Sequence, residues 1–167
     1  TPLGILLRPT GSKTPPQIVV WSNQGILLAE LNRGAIEMPV DNVNHIAAGD
    51  SNNDGYSELC LAGPNGVSLL TLSAETPPVF GGPRMLISGN FSSCLWIDYD
   101  HDYDLDLMAV GINQALFHNN GDGTFANVSD TFPFVQGIGL SAIGLELREN
   151  NGSNIVVVYK DKIVVYK

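Results

Sequence analysis

Two stretches, 48 residues apart, decide how this chain reads. Ile46–Leu72 runs "IAAGDSNNDGYSELCLAGPNGVSLLTL", and Leu95–Asn119 runs "LWIDYDHDYDLDLMAVGINQALFHN". At that offset Asp50 falls on Asp98, Asn52 on Asp100, Asp54 on Asp102 and Glu58 on Asp106, and "LCLAG" then falls on "LMAVG". In a strand, residues two apart share a face. The alternate aspartates Asp98, Asp100, Asp102, Asp104 and Asp106 would therefore repel one another along a regular strand. Either the segment is a loop or something positive lies among the carboxylates.

Working outward, the apolar runs "IVVW" (Ile18–Trp21), "GILLAEL" (Gly25–Leu31), "IVVVY" (Ile155–Tyr159) and "KIVVY" (Lys162–Tyr166) are short, β-branched and split by turn residues. Strand, tight turn, strand is their natural reading. Gln17 and Asn154 precede two of these runs as Glu58 and Asp106 precede the matched strands. Four repeat units result, at approximately 1–41, 42–90, 91–138 and 139–167, each with an apolar segment, a loop, a strand, a turn and a strand. Units of this size with three or four strands suit an all-β propeller of about four blades. A β-sandwich needs no fixed repeat, and a calcium-type solenoid needs a short Gly-rich nonapeptide that the chain lacks.

The acidic loops have an ion-binding pattern. Oxygen donors at positions one, three and five and a carboxylate at nine form a cage for a hard cation. Asp50, Asn52, Asp54 and Glu58 make one set, with the backbone carbonyl of Tyr56 as a further oxygen. Asp98, Asp100, Asp102 and Asp106 make the other, with the carbonyl of Asp104. About two Ca²⁺ ions are expected from the two loops. The last carboxylate comes at nine rather than twelve and strands flank the loop, so this is not an EF-hand.

These two units resemble FG-GAP or VCBS-type repeats, the calcium-loop blades of integrin-α-like β-propellers. "LFHNNGDGTFANVS" (Leu116–Ser129) resembles the hairpin that follows the calcium strand in VCBS repeats. The resemblance covers Ile46–Ser129, with the outer units alike only in strand pattern. It implies a radial array of four-stranded blades, loops that hold calcium, and roles in adhesion or ligand recognition. Tyr103 departs from it, standing where the family has Gly. In the outer units "RPTGSKTPPQ" carries no acid and Arg148 occupies a ligand position, so no metal is expected there.

Charge and composition narrow the classes. Net charge is −9, which suits cations and does not suit nucleic acid or an anionic membrane. No apolar run reaches the ~18 residues of a membrane span. Cys60 and Cys94 have no zinc spacing and lie in strand-like sequence, as buried thiols or a disulfide pair. His45, His101 and His118 belong to no hydrolase or metalloprotease motif, and no phosphate-binding glycine loop is present. Asp122 in "NNGDGTF" reads as a turn residue, and Trp21 and Trp96 as core.

The sequence therefore predicts a non-catalytic calcium-binding propeller module for adhesion or ligand recognition, placed outside the cytosol: extracellular, cell-surface or periplasmic. The alternative is a carbohydrate-binding, lectin-like propeller or an accessory segment of a polysaccharide-active enzyme. The chain is expected to be a piece of a larger propeller, with exposed blade edges that pair between chains.

Overall fold

The computed structural model describes residues 3–10, 15–22, 24–30, 34–73, 79–145 and 154–167. They form four antiparallel sheets, each a meander whose strands pair in chain order. Sheet I holds β1 (Gly4–Arg8), β2 (Gln17–Ser22), β3 (Gly25–Glu30) and β4 (Gly34–Met38). Sheet II holds β5 (His45–Gly49), β6 (Glu58–Gly63), β7 (Gly66–Leu70) and β8 (Arg84–Ser88). Sheet III holds β9 (Phe91–Ile97), β10 (Asp106–Gly111), β11 (Gln114–Asn119) and β12 (Phe125–Asn127). Sheet IV has three strands, β13 (Gly139–Leu145), β14 (Asn154–Tyr159) and β15 (Ile163–Tyr166). The only helical turn among the described residues is a 3₁₀ turn at Ser129–Thr131.

The 48-residue repeat holds in the strand register. Gly49 pairs with Glu58 and Ile46 with Leu61 in sheet II; Ile97 pairs with Asp106 and Cys94 with Ala109 in sheet III. Period-2 alternation then gives each sheet two apolar faces. One carries Ile46, Leu59 and Leu61 in sheet II, Cys94, Leu107 and Ala109 in sheet III, and Ala142, Ile155 and Val157 in sheet IV. That face packs on the preceding sheet. Ile46, Leu59 and Leu61 lie against Val19, Trp21 and Leu28 of sheet I. Cys94, Leu107 and Ala109 lie against Cys60, Ala62 and Leu69 of sheet II. Ala142, Ile155 and Val157 lie against Leu95, Met108 and Val110 of sheet III. The central strands β6 and β10 are buried along their whole length, which explains why they read as continuous apolar runs rather than alternating ones.

Candidate metal centre

The two acidic loops, 50–57 and 98–105, connect β5 to β6 and β9 to β10, and they fold alike. Asp50 Oδ1 and Oδ2 accept from the amides of Asp54 (3.0 Å) and Gly55 (2.8 Å). Asp98 Oδ1 and Oδ2 accept from those of Asp102 (3.1 Å) and Tyr103 (3.2 Å). Asp54 Oδ1 takes the amide of Tyr56, and Asp102 Oδ1 that of Asp104. Glu58 takes the amide of Ser51, and Asp106 that of Tyr99. All four bonds repeat at the 48-residue offset. So does the backbone: φ is 57° at Asn53 and 65° at His101, then 87° at Gly55 and 74° at Tyr103. Tyr103 thus adopts the left-handed conformation that its glycine counterpart adopts freely, at a cost of about 1 kcal/mol or more.

The carboxylates converge most closely in the third-unit loop. Carboxylate oxygens of Asp98, Asp100, Asp102 and Asp106 all lie within 4.8 Å of one another. Calcium–oxygen distances of about 2.3–2.6 Å place opposite donors of one ion about that far apart, so this donor set fits a hard cation. Asp106 is fully buried on β10. Burial pushes its carboxyl up to about 6, although the amides of Asn119 and Tyr99 favour its ionised form. The carboxylates of Asp50, Asp54 and Glu58 do not gather as closely among the described residues. Glu58 is committed to the Ser51 amide and hydroxyl, and Asn52 donates to Asp54 at 3.1 Å. Burial also raises the Glu58 carboxyl.

A positive group does lie beside the second-unit loop. Arg8, at the end of β1, is buried and donates from Nε to the Ser57 carbonyl (2.6 Å) and from Nη1 to Gln17 Oε1 (2.5 Å). Desolvation lowers its pKa, opposed by the nearby charges of Glu58, Asp54 and Glu30. Arg8 corresponds to Gly49 and Ile97 in the later units, so a guanidinium from sheet I offsets part of the negative charge in the loop of sheet II.

His118 joins the third-unit cluster, which the sequence reading missed. Its Nδ1 lies 3.3 Å from both Asp100 Oδ2 and Asp106 Oδ1, without the alignment of a hydrogen bond. It belongs with Asp100 and Asp102 to a second group whose ligand atoms converge. The signal was the hairpin register: Leu107 pairs with Phe117, so the next position outward sets His118 opposite Asp106. Asp104, expected to contribute its backbone carbonyl, has its carboxylate outside the converging set, and its Oδ1 accepts from Asn53. His101 is exposed at a positive φ.

The remaining expectations sort simply. Asp122 accepts from the Thr124 amide and hydroxyl in the β11–β12 turn, bonds that hold its carboxyl below the usual range. Trp21 is buried between sheets I and II, and Trp96 packs half-buried against the core of sheets II and III. Cys60 and Cys94 are free buried thiols, with Cys94 Sγ 3.5 Å from the Cys60 carbonyl. Arg148 lies outside the described residues. A groove of about 710 Å³ opens at the β2–β3 turn, lined by Trp21, Ser22, Gln24, Glu37 and Pro39 among others.

The fold has a solved counterpart. Over 97% of its length the chain superposes on an Agrocybe aegerita lectin, described as specifically recognising non-reducing terminal N-acetylglucosamine, with a TM-score of 0.63 and 18% identity. The chain spans about half of that lectin, 48% of its length. No family model matches the chain, and no curated protein matches it in sequence. At this identity the likeness is one of fold. No helix among the described residues is long and apolar enough to cross a membrane.

Proposed function

We propose that the chain is a non-catalytic propeller module that recognises glycans, acting outside the cytosol, with calcium bracing its acidic loops. The observation that carries this reading is the shared fold with an N-acetylglucosamine lectin along nearly the whole chain. It favours the carbohydrate reading over adhesion to a protein ligand, for which only the repeat resemblance speaks. The four meander sheets are the blades, and the VCBS-like loops are their braces. Calcium would be held by Asp98, Asp100, Asp102 and Asp106, and in the second unit by Asp50, Asn52, Asp54 and Glu58. It would neutralise carboxylates that otherwise repel. The groove beside Trp21 offers what a sugar site needs: polar groups from Ser22, Gln24 and Glu37 against an apolar wall.

Passage over N-acetylglucosamine-bearing beads in millimolar calcium tests the reading. Retention, with elution by free N-acetylglucosamine and loss of retention in Glu37→Ala, is expected. Flow-through of the folded protein on these beads and on an array of other glycans would overturn it.

A further inference from the structure

At each junction between consecutive sheets, the repeat brings the same two positions into one core. Between sheets I and II they are Val19 and Ile46, and between sheets III and IV they are Met108 and Ala142. Between sheets II and III they are Cys60 and Cys94. Two junctions fill these positions without a thiol, so packing alone does not call for a pair of thiols at the third. Both cysteines are reduced and buried, at 0% and 1% exposure. Their cross-strand neighbours are alanines, Ala47 opposite Cys60 and Ala109 opposite Cys94, so no bulky side chain wedges the two sulfurs apart from the side.

A third group completes the cluster. His45 opens β5, and its matched positions are Gly4 and Ser93, so the imidazole too is peculiar to this junction. Its Nδ1 accepts from the Cys94 amide at 3.4 Å and stands 3.7 Å from Cys94 Sγ. Cys94 Sγ in turn lies 3.5 Å from the Cys60 carbonyl oxygen. Burial by itself raises both thiols. For Cys94 this is outweighed by hydrogen bonds with Cys60 and His45 and by the charge of His45, which hold its thiol below the usual value. Cys60 stays well above it, through burial and the neighbouring Cys94. The two sulfurs are thus unequal: one is suited to attack as a thiolate, the other to follow as a thiol. The His45 ring is half-buried, so it links the enclosed pair to solvent.

We propose that Cys60 and Cys94 are an oxidation site for hydrogen peroxide, which converts them to a disulfide that joins sheet II to sheet III. Peroxide is close to water in size and can enter where a larger disulfide reagent cannot. His45 Nδ1 takes the Cys94 proton, and the thiolate attacks one peroxide oxygen. The O–O bond breaks, and the departing hydroxide takes the proton back from His45 as water, leaving a sulfenic acid on Cys94. The Cys60 sulfur then attacks Cys94 Sγ. The S–O bond breaks, and hydroxide leaves with the Cys60 proton as a second water. Two thiols lose two electrons and two protons, and peroxide becomes two waters. The cross-link spans 34 residues and restricts the unfolded chain, so the oxidised protein is the more stable form. Neither sugar nor calcium takes part.

The test uses the folded, fully reduced chain with a small excess of hydrogen peroxide, followed by iodoacetamide and intact-mass measurement. The mass should fall by two hydrogen atoms, with no thiol left for iodoacetamide, and dithiothreitol should restore both thiols. The melting temperature of the oxidised form should exceed that of the reduced form. In Cys60→Ser, oxidation should stop at a Cys94 sulfenic acid that dimedone traps, whereas Cys60 in Cys94→Ser should stay reduced. His45→Asn should slow the wild-type reaction at neutral pH by about tenfold or more. Circular dichroism verifies that each variant folds, and the wild-type result stands without them. Two thiols persisting in the treated wild type would overturn the inference, as would a disulfide that forms only after urea is added. Equal peroxide reactivity of the two single-cysteine variants would do the same.

Discussion

Asn53 donates its side-chain amide to Asp104 Oδ1 at 2.9 Å, tying the acidic loop of sheet II to that of sheet III. A second tie runs beside it: Asn119 Nδ2 donates to the Ser51 carbonyl at 2.7 Å, while the Asn119 amide donates to Asp106 Oδ1 at 2.8 Å. The two loops share a hydrogen-bond network, so ordering one constrains the other.

Calcium should therefore stabilise the chain as a whole. Chelator-stripped protein is expected to bind calcium first at Asp98, Asp100, Asp102 and Asp106, where the donors already converge. Binding to the folded state adds about 2.7 kcal/mol per site at a hundredfold excess over Kd. EGTA should lower the melting temperature, and Asp102→Ala should lower it in calcium while shrinking the EGTA effect. Magnesium, with its tighter octahedral demand, should substitute poorly. Thermal melts indifferent to calcium, chelator and the substitution would refute the site.

Without metal, stability should fall as pH rises from about 4 to about 6. Burial raises the Asp106 carboxyl to about 6, against about 3.9 in an unfolded chain. A raised carboxyl favours the protonated folded state, so its contribution is present below the unfolded value and lost through the folded one. The loss is on the order of 3 kcal/mol, and Glu58 is shifted in the same direction. Asp106→Asn should flatten the profile, as should saturating calcium. Urea titrations at pH 4, 5, 6 and 7 check this; an unchanged slope in Asp106→Asn would contradict it.

Removing the buried guanidinium should cost more than removing a surface charge. Arg8→Ala breaks bonds to Ser57 and Gln17 and removes a buried cation that the charges of Glu58, Asp54 and Glu30 act on. A loss of about 3–5 kcal/mol is expected. Arg8→Lys should recover little of it, because an ammonium cannot donate along two directions of the fork. A loss below about 1 kcal/mol in urea unfolding would show that the charge is dispensable.

Tyr103→Gly should relieve the positive φ of 74°, with a gain of up to about 1 kcal/mol offset in part by a more flexible unfolded chain. The same change should leave the Tyr56 loop untouched, where Gly55 already stands. A clear destabilisation would mean that the exposed Tyr103 ring makes a contribution beyond its backbone.

The four sheets were legible because "LCLAG" and "LMAVG" each follow an acidic loop and precede a turn, so that register and repeat reinforced one another. The clustering of the Asp98, Asp100, Asp102 and Asp106 carboxylates was legible for the same reason. His118 was not, because its approach to Asp106 is a cross-strand relation fixed by the length of the intervening turn. Arg8 was hidden more deeply: it belongs to one unit and serves the loop of the next, and periodicity within a unit carries no trace of contacts between units. The unequal convergence of the two loops depends on a few side-chain choices, such as Ser51 capturing Glu58, that share one pattern of spacing.

The repeated loop also makes the molecule a differential instrument. Gly55 and Tyr103, Asn53 and His101, and Glu58 and Asp106 occupy matching backbone positions inside a single chain. A substitution made in one loop can be exchanged with its counterpart, so that the residue pair is swapped while composition, net charge and chain length stay constant. Any change in cation preference after such an exchange reports the surroundings of the loop rather than the amino acid itself. Each copy serves as the reference for the other, and no second protein is needed for the comparison.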